Sequence, residues 1–282
     1  MSIILSENHY GQTRVRVVRL IRQPDRHDVK ELTLDIEFEG DFSAAHVVGD
    51  NRLILPTDAI RNTVYGLIKE DDSEQLEVFS ARLAEYFVRN TPSVWKAHVQ
   101  AAEHPWARVV TGGKPHPHTF VRGGSGERRV TIVSATADHT SIKAGIENML
   151  VLKTGESSFE GYMPDPFTTS KETNGGILAT AITAVWAYSE ADVAFGPCWH
   201  GVRQLLLDTF AQHRSRSAQH MLYAMGEAVL EAFDEIVEIK LSLPDRSCVL
   251  VDLSPFGMEN KGEVFLPLDE PRGVIEASLR KE

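Results

Sequence analysis

The chain has 282 residues, room for two modest domains or one large one, with 42% hydrophobic and 24% charged residues, the balance of a globular protein. Its formal net charge of −11 repels phosphate backbones and anionic lipid, which removes nucleic acid and membrane surfaces as first partners. Two cysteines, Cys198 and Cys248, form neither a disulfide framework nor a closely spaced zinc knuckle. No apolar run reaches membrane-span length and no signal peptide is legible, so a reducing cytoplasm is the expected compartment.

In chain order, Val15 and Val17 alternate with Arg14 and Arg16, and Leu32, Leu34, Ile36 and Phe38 repeat with period two. The spacing predicts an antiparallel strand pair with one wet face and a turn at His27-Asp28. From Pro56 the period lengthens. Ile60, Val64, Leu67 and Ile68 mark one helical stripe, and Leu76, Phe79, Leu83 and Phe87 a second, with Glu70-Asp71-Asp72-Ser73 between them. Strand character returns at Trp95–Val99, Ala107–Val110 and His118–Val121, before the Gly123-Gly124-Ser125-Gly126 punctuation.

The second half reads alike. Val130–Val133, Met149–Leu152 and Ile177–Ala187 are predicted strands. Val202, Leu205, Leu206 and Phe210 mark one helix; Leu222, Met225, Val229 and Phe233 mark another. Ile236–Leu243 and Cys248–Leu253 follow as strands before a Pro/Gly-rich tail. Two strands, two helices and two strands, twice over, predict an α+β chain of tandem domains, 1–127 and 128–282, with helices on one face of antiparallel sheets. Such sheets have open edges, and cover by barrel-like oligomerisation is expected.

Several motifs carry two readings each. His104 with His116 and His118 of Lys114-Pro115-His116-Pro117-His118 can be zinc ligands or imidazoles bonded to backbone groups; the second is favoured and no metal is expected. Thr57 and Asp58 before a helical stripe read first as N-caps, and second as a place for an anion or polarised oxygen. The glycine runs at 123–126 and 175–176 lack a nucleotide loop's lysine and read as turns. Cys198 and His200, two apart on a helix, point differently and make a poor nucleophile pair. Phe159 in a Ser/Gly-rich loop is a core plug or a stacking plate. Gln219 at a helix start is a solvated amide or a reader of a ring edge.

Taken together, Tyr10-Gly11, Thr57-Asp58-Ala59-Ile60-Arg61-Asn62-Thr63, Gly113-Lys114-Pro115-His116-Pro117-His118, Leu152-Lys153 followed by Phe159, Lys171-Glu172-Thr173 and the Ala218-Gln219 helix start resemble the urate oxidase (uricase) family of the tunnelling fold, over nearly the whole chain. The resemblance implies tandem tunnelling-fold (T-fold) domains in a homotetramer with active sites between subunits. It implies an oxidase with no metal or organic cofactor that passes electrons from a urate anion to O2 as co-substrate. Carried over, Phe159 stacks on the purine ring, Gln219 bonds its edge, Ala218 and Asp58 offer backbone groups, and Thr57 comes from the neighbouring subunit.

This sequence also departs from the family pattern. Gln12 stands where the family has its catalytic lysine, Gly176 where it has the urate-gripping arginine, Asp245 where it has the dioxygen-holding asparagine, and Ser247 where it has a histidine. Gln12 cannot change charge near neutral pH, Gly176 offers no cation, and Asp245 adds an anion. A neutral or cationic purine-like ring therefore suits the site better than urate, unless Arg216, near Ala218, restores a cation. Two other classes stay open: acid–base or hydrolytic chemistry with Asp245 as general base and Thr57 and Ser247 orienting water, and a heterocycle-binding protein without chemistry.

Overall fold

The computed structural model describes residues 3–123, 126–190, 192–246, 248–268, 270 and 273–282. The chain divides into two units, Met1–Gly145 with Ala187–Gly196, and Ile146–Trp186 with Pro197–Glu282.

The first unit runs β1 (Tyr10–Arg22), β2 (His27–Gly40), α1 (Ser43–Val47), α2 (Thr57–Glu70), α3 (Leu76–Asn90), β3 (Val94–His104), β4 (Trp106–Thr111), β5 (Lys114–Arg122), β6 (Arg128–Thr136) and the start of β7 (Thr140–Lys153). Its sheet order is β1-β2-β3-β6-β7, and β1–β2, β2–β3 and β3–β6 are antiparallel. Leu32, Leu34, Ile36 and Phe38 are fully buried and share a core with Ile60 and Val64 of α2 and Leu76, Phe79, Leu83 and Phe87 of α3. A period-two stripe thus meets two helical stripes, the packing that the spacing predicts.

Two details differ from expectation. His27 and Asp28 open β2 rather than forming the turn: Arg22 pairs with His27, and the Gln23 N–H donates to the Arg26 carbonyl at 2.9 Å. β1 runs on past Val17 to Arg22, and β2 begins at His27, well before Leu32. The wet face is also partly covered, by the β4–β5 ribbon. Glu31 is buried on that face and accepts hydrogen bonds from Arg16 (2.5 Å), Trp106 Nε1 (2.9 Å) and Arg122. Burial alone would raise its pKa, but these donors hold the carboxyl below the usual range.

The second unit continues β7 and adds β8 (Ser158–Phe159), β9 (Thr173–Asn174), β10 (Leu178–Tyr188), α4 (Phe195–Gln212, after its first two residues), α5 (Ala218–Ala232), β11 (Ile236–Ser242), β12 (Cys248–Leu250), β13 (Phe265–Pro267) and β14 (Glu276–Arg280). Its sheet order is β7-β10-β11-β14. Ile182, Trp186, Val202, Leu206, Met225, Val229 and Ile239 are fully buried there. At Gly226 a Cβ would lie 2.9 Å from the Leu279 side chain, so glycine lets α5 sit close to the sheet.

With the shorter elements set aside, two strands, two helices and two strands run as β1, β2, α2, α3, β3, β6 and again as β7, β10, α4, α5, β11, β14; β6, expected at the start of the second domain, lies in the first unit. The architecture is α+β, and among the described residues β1 and β14 each have one neighbour, so the sheet is not a closed barrel. The Pro/Gly-rich tail, for which no strand was expected, supplies β13 and β14. β14 is a strand because β11 pairs with it, from Glu238 opposite Arg280 to Ser242 opposite Glu276. The predicted strand from Cys248 ends at Leu250.

Candidate functional site

In the first unit the site residues hang on Tyr10. Its phenol oxygen accepts the Leu55 N–H at 2.8 Å, and its ring meets Phe38 and Phe42 edge-on. Burial raises the phenol pKa, so the hydroxyl stays protonated. Gly11 follows because nothing larger fits: a Cβ would stand 1.8 Å from the Ile36 carbonyl oxygen. Gln12 is half-buried and its Nε2 donates to the Thr13 carbonyl at 3.3 Å. A bulge then bends β1 between Gln12 and Val15, with Arg14 at φ +56° and its N–H on Asp35.

The N-cap of α2 is Pro56, not Thr57 or Asp58, and no side chain caps the helix. Pro56 is extended and its carbonyl takes the Ala59 and Ile60 N–H groups at 3.0 and 3.2 Å. Thr57 and Asp58 are therefore the first helical residues, both exposed. Their N–H groups are among those an α-helix cannot pair internally, so the Thr57 hydroxyl and these amides are available to a polar ligand atom.

In the second unit the backbone at 157–158 ties three segments together. The Ser157 carbonyl accepts the Gly175 and Gly176 N–H groups at 2.9 and 2.8 Å, and the Ser158 N–H donates to the Ser215 carbonyl at 2.9 Å. Phe159 is thereby fixed beside Gly176 and the approach to α5. It is 44% exposed, which rules out a core plug. Tyr162 stacks on one face, ring centroids 4.9 Å apart and planes 13° apart. The Tyr162 hydroxyl donates to the Ser170 carbonyl. One covered face and that exposure leave the other face open to a flat ring.

Gly176 has no positive φ, and a Cβ there would make only ordinary contacts, at 3.6 Å from Thr173. Its lack of a side chain is thus not a backbone requirement. Ser217 caps α5, its Oγ accepting the His220 N–H at 3.0 Å, so Ala218 and Gln219 are the first two helical residues, with Gln219 exposed. Asp245 is half-buried; its N–H donates to the Gly273 carbonyl at 3.1 Å and it bridges to Thr180. Ser247 lies outside the described residues. The first unit thus holds Gln12, Thr57 and Asp58, and the second holds Phe159, Gly176, Ala218, Gln219 and Asp245.

The three histidines do not converge. His116 Nδ1 accepts the His118 N–H at 3.2 Å, while His104 pairs with the Thr33 hydroxyl at 2.9 Å. Among the described residues no group of three or more His, Cys, Asp or Glu side chains is placed to hold a metal ion. Cys198 is buried, whereas His200 is exposed against Trp199. No described helix is long and apolar enough to cross a membrane.

Sequence reasoning missed Tyr162, the Tyr10–Leu55 bond and Arg214. Tyr162 carried one signal, an aromatic three residues after Phe159. Arg216 was visible near Ala218 but had no direction; it lines a cleft with Arg214 and His220.

The uricase family model matches residues 8–133 and 142–276. Uricase of Arthrobacter globiformis is 39% identical over 280 residues, covering 99% of this chain and 91% of that protein. Uricase of Dictyostelium discoideum is 32% identical over 280 residues, covering 98% of this chain and 97% of that one. The crystal structure of the Arthrobacter globiformis uricase superposes with a TM-score of 0.94 at 38% identity, covering 100% of this chain and 96% of that chain. With the fold, the Tyr10-Gly11 strand and the Phe159–Tyr162 stack described, these matches leave one assignment: the chain belongs to the uricase family.

Proposed function

We propose that the protein is a urate-oxidase-like oxidoreductase that oxidises a planar purine-like ring with O2, without metal or organic cofactor, as a cytoplasmic homotetramer. The observation that carries this reading is the open face of Phe159, backed by Tyr162, on a strand that Ser158 ties to Ser215 in the segment leading to α5, where Gln219 is exposed. A flat ring stacks on Phe159 while the Gln219 amide, with one donor and one acceptor, reads its edge. The ring gives two electrons to O2, which leaves as hydrogen peroxide, and water adds to the oxidised ring as a hydroxyl.

Thr57 and Asp58 belong to the same reading, as an exposed helix start that offers a hydroxyl and free amides to a ring held by a neighbouring subunit. A long edge strand, unpaired on one side among the described residues, supports assembly. β1 has 13 residues, and Val18 and Leu20 on it are 58% and 46% exposed, a surface that proteins cover by pairing or burial. Gln12, Gly176 and Asp245 together remove two cations and add one anion relative to the family pattern. A ring with amino groups or a protonated nitrogen is the favoured substrate, ahead of urate.

The test is ultraviolet absorbance with an oxygen electrode, using urate and 2,6-diaminopurine in parallel. Loss of ring absorbance with matching oxygen uptake on either compound supports the reading. Turnover without oxygen, abolished by Asp245→Asn, would replace it with acid–base chemistry. Thermal stabilisation by ligand without turnover would make the protein a binder.

A further inference from the structure

An open cleft of about 800 Å³ lies in the second unit, lined by Ser158, Glu160, Asn174, Arg214, Arg216 and His220 among others. Phe159 is not in its lining. The strand alternation explains why. Ser158 and Glu160 face one way and Phe159 the other, and Asn174 pairs directly opposite Ser158 on the cleft side. The β8–β9 ribbon therefore carries the aromatic plate on one face and this cleft on its back.

The cleft is rich in donors. Arg214 and Arg216 flank Ser215, which is held by its bridge to Ser157. Both arginines line this one cleft. Among the described residues neither guanidinium has an ion-pair partner. His220 Nδ1 accepts the Arg216 N–H at 3.3 Å, so the neutral ring carries its proton on Nε2, as a further donor. Asn174 adds an amide, and Glu160 is the one carboxylate of the lining. In a chain of net charge −11, two unpaired arginines facing one cleft are a marked local reversal of sign.

We propose that this cleft binds a small oxyanion, a carboxylate or a phosphate, held by Arg214 and Arg216 on the face of the ribbon opposite Phe159. A guanidinium pair in one cleft grips oxyanion oxygens through charge-assisted hydrogen bonds. The site is separate from the ring plate and does not depend on the reaction proposed above.

Calorimetric titration of the full chain with inorganic phosphate, and separately with succinate, tests it. The wild type binds at least one of them saturably, and the preferred ion names the class. Arg214→Gln with Arg216→Gln weakens that binding about tenfold or more. Phe159→Ala leaves it within about twofold, because that ring points away. Should the double variant melt far below the wild type, Arg216→Gln alone is read in the same way. No saturable heat with either ion up to about 10 mM, equal affinity in the arginine variants, or equal loss in Phe159→Ala would each overturn the proposal.

Discussion

Tyr10 Oη lies 2.8 Å from the Leu55 amide nitrogen and accepts its hydrogen bond. One side chain thus joins the strand carrying Gln12 to the loop that enters α2 at Thr57. Tyr10→Phe keeps the edge-on contacts with Phe38 and Phe42 but leaves the half-buried Leu55 N–H without its partner. We expect a loss of about 1 kcal/mol in a urea melt. We also expect kcat on the best substrate to fall about tenfold with KM little changed, as the Thr57 hydroxyl loses its placement. A fall that merely tracks the folded fraction would reduce Tyr10 to a structural role.

Gly11→Ala meets backbone rather than a flexible side chain, with the new Cβ 1.8 Å from the Ile36 carbonyl oxygen. The β1–β2 pairing has to part locally to admit it. A loss of about 3 kcal/mol is expected, read as a shifted denaturation midpoint at constant m-value.

Gln12→Lys and Gly176→Arg probe the departures from the family pattern. Gln12 is half-buried and makes one weak bond, to the Thr13 carbonyl. Gly176 has space for a side chain. Both variants should fold within about 0.5 kcal/mol of the wild type. Lysine at 12 supplies a proton carrier and should raise urate oxidation about 100-fold, while arginine at 176 should lower KM for urate. Unchanged urate kinetics in the double variant would show that these two positions are not those of the family's lysine and arginine.

Tyr162 backs Phe159 at 4.9 Å. Tyr162→Leu removes the stack and frees the Phe159 ring to turn; Tyr162→Phe removes only the bond to the Ser170 carbonyl. Ring affinity should fall about five- to tenfold in the leucine variant and stay near wild type in the phenylalanine variant. Equal losses would mean that the hydroxyl tether, not the stack, holds the plate.

Glu31 gives the fold an acid-sensitive point. Its folded pKa lies below the ordinary carboxylate value because Arg16, Trp106 and Arg122 bond the ionised form, outweighing burial. The unfolded chain therefore binds the proton more readily than the folded one. The stabilisation is complete above the unfolded pKa and is lost as pH falls through the folded value. Glu31→Gln should flatten this part of the acid limb in thermal melts, at a cost of about 1–3 kcal/mol at neutral pH. An unaltered acid limb would mean that other carboxylates set it.

The sequence by itself determined the elements whose signal is local. Period two at Leu32–Phe38 and the helical stripes at Ile60–Ile68, Leu76–Phe87 and Leu222–Val229 specified strands and helices, because an apolar stripe at either spacing has one way to reach a core. It also determined the family, because a long series of short motifs survives in order. The tertiary structure alone decided what depends on partners distant in the chain. β14 is a strand because β11 is beside it, and Pro56 displaces Thr57 from the cap because its carbonyl meets two amides. Phe159 stays exposed with one face stacked on Tyr162, and Arg214 and Arg216 line a cleft beside Ser215, which is stitched to residues 157–158. Side-chain periodicity is fixed by bond geometry between neighbours, whereas exposure, pairing and charge compensation are fixed by which distant segments the folded chain brings alongside.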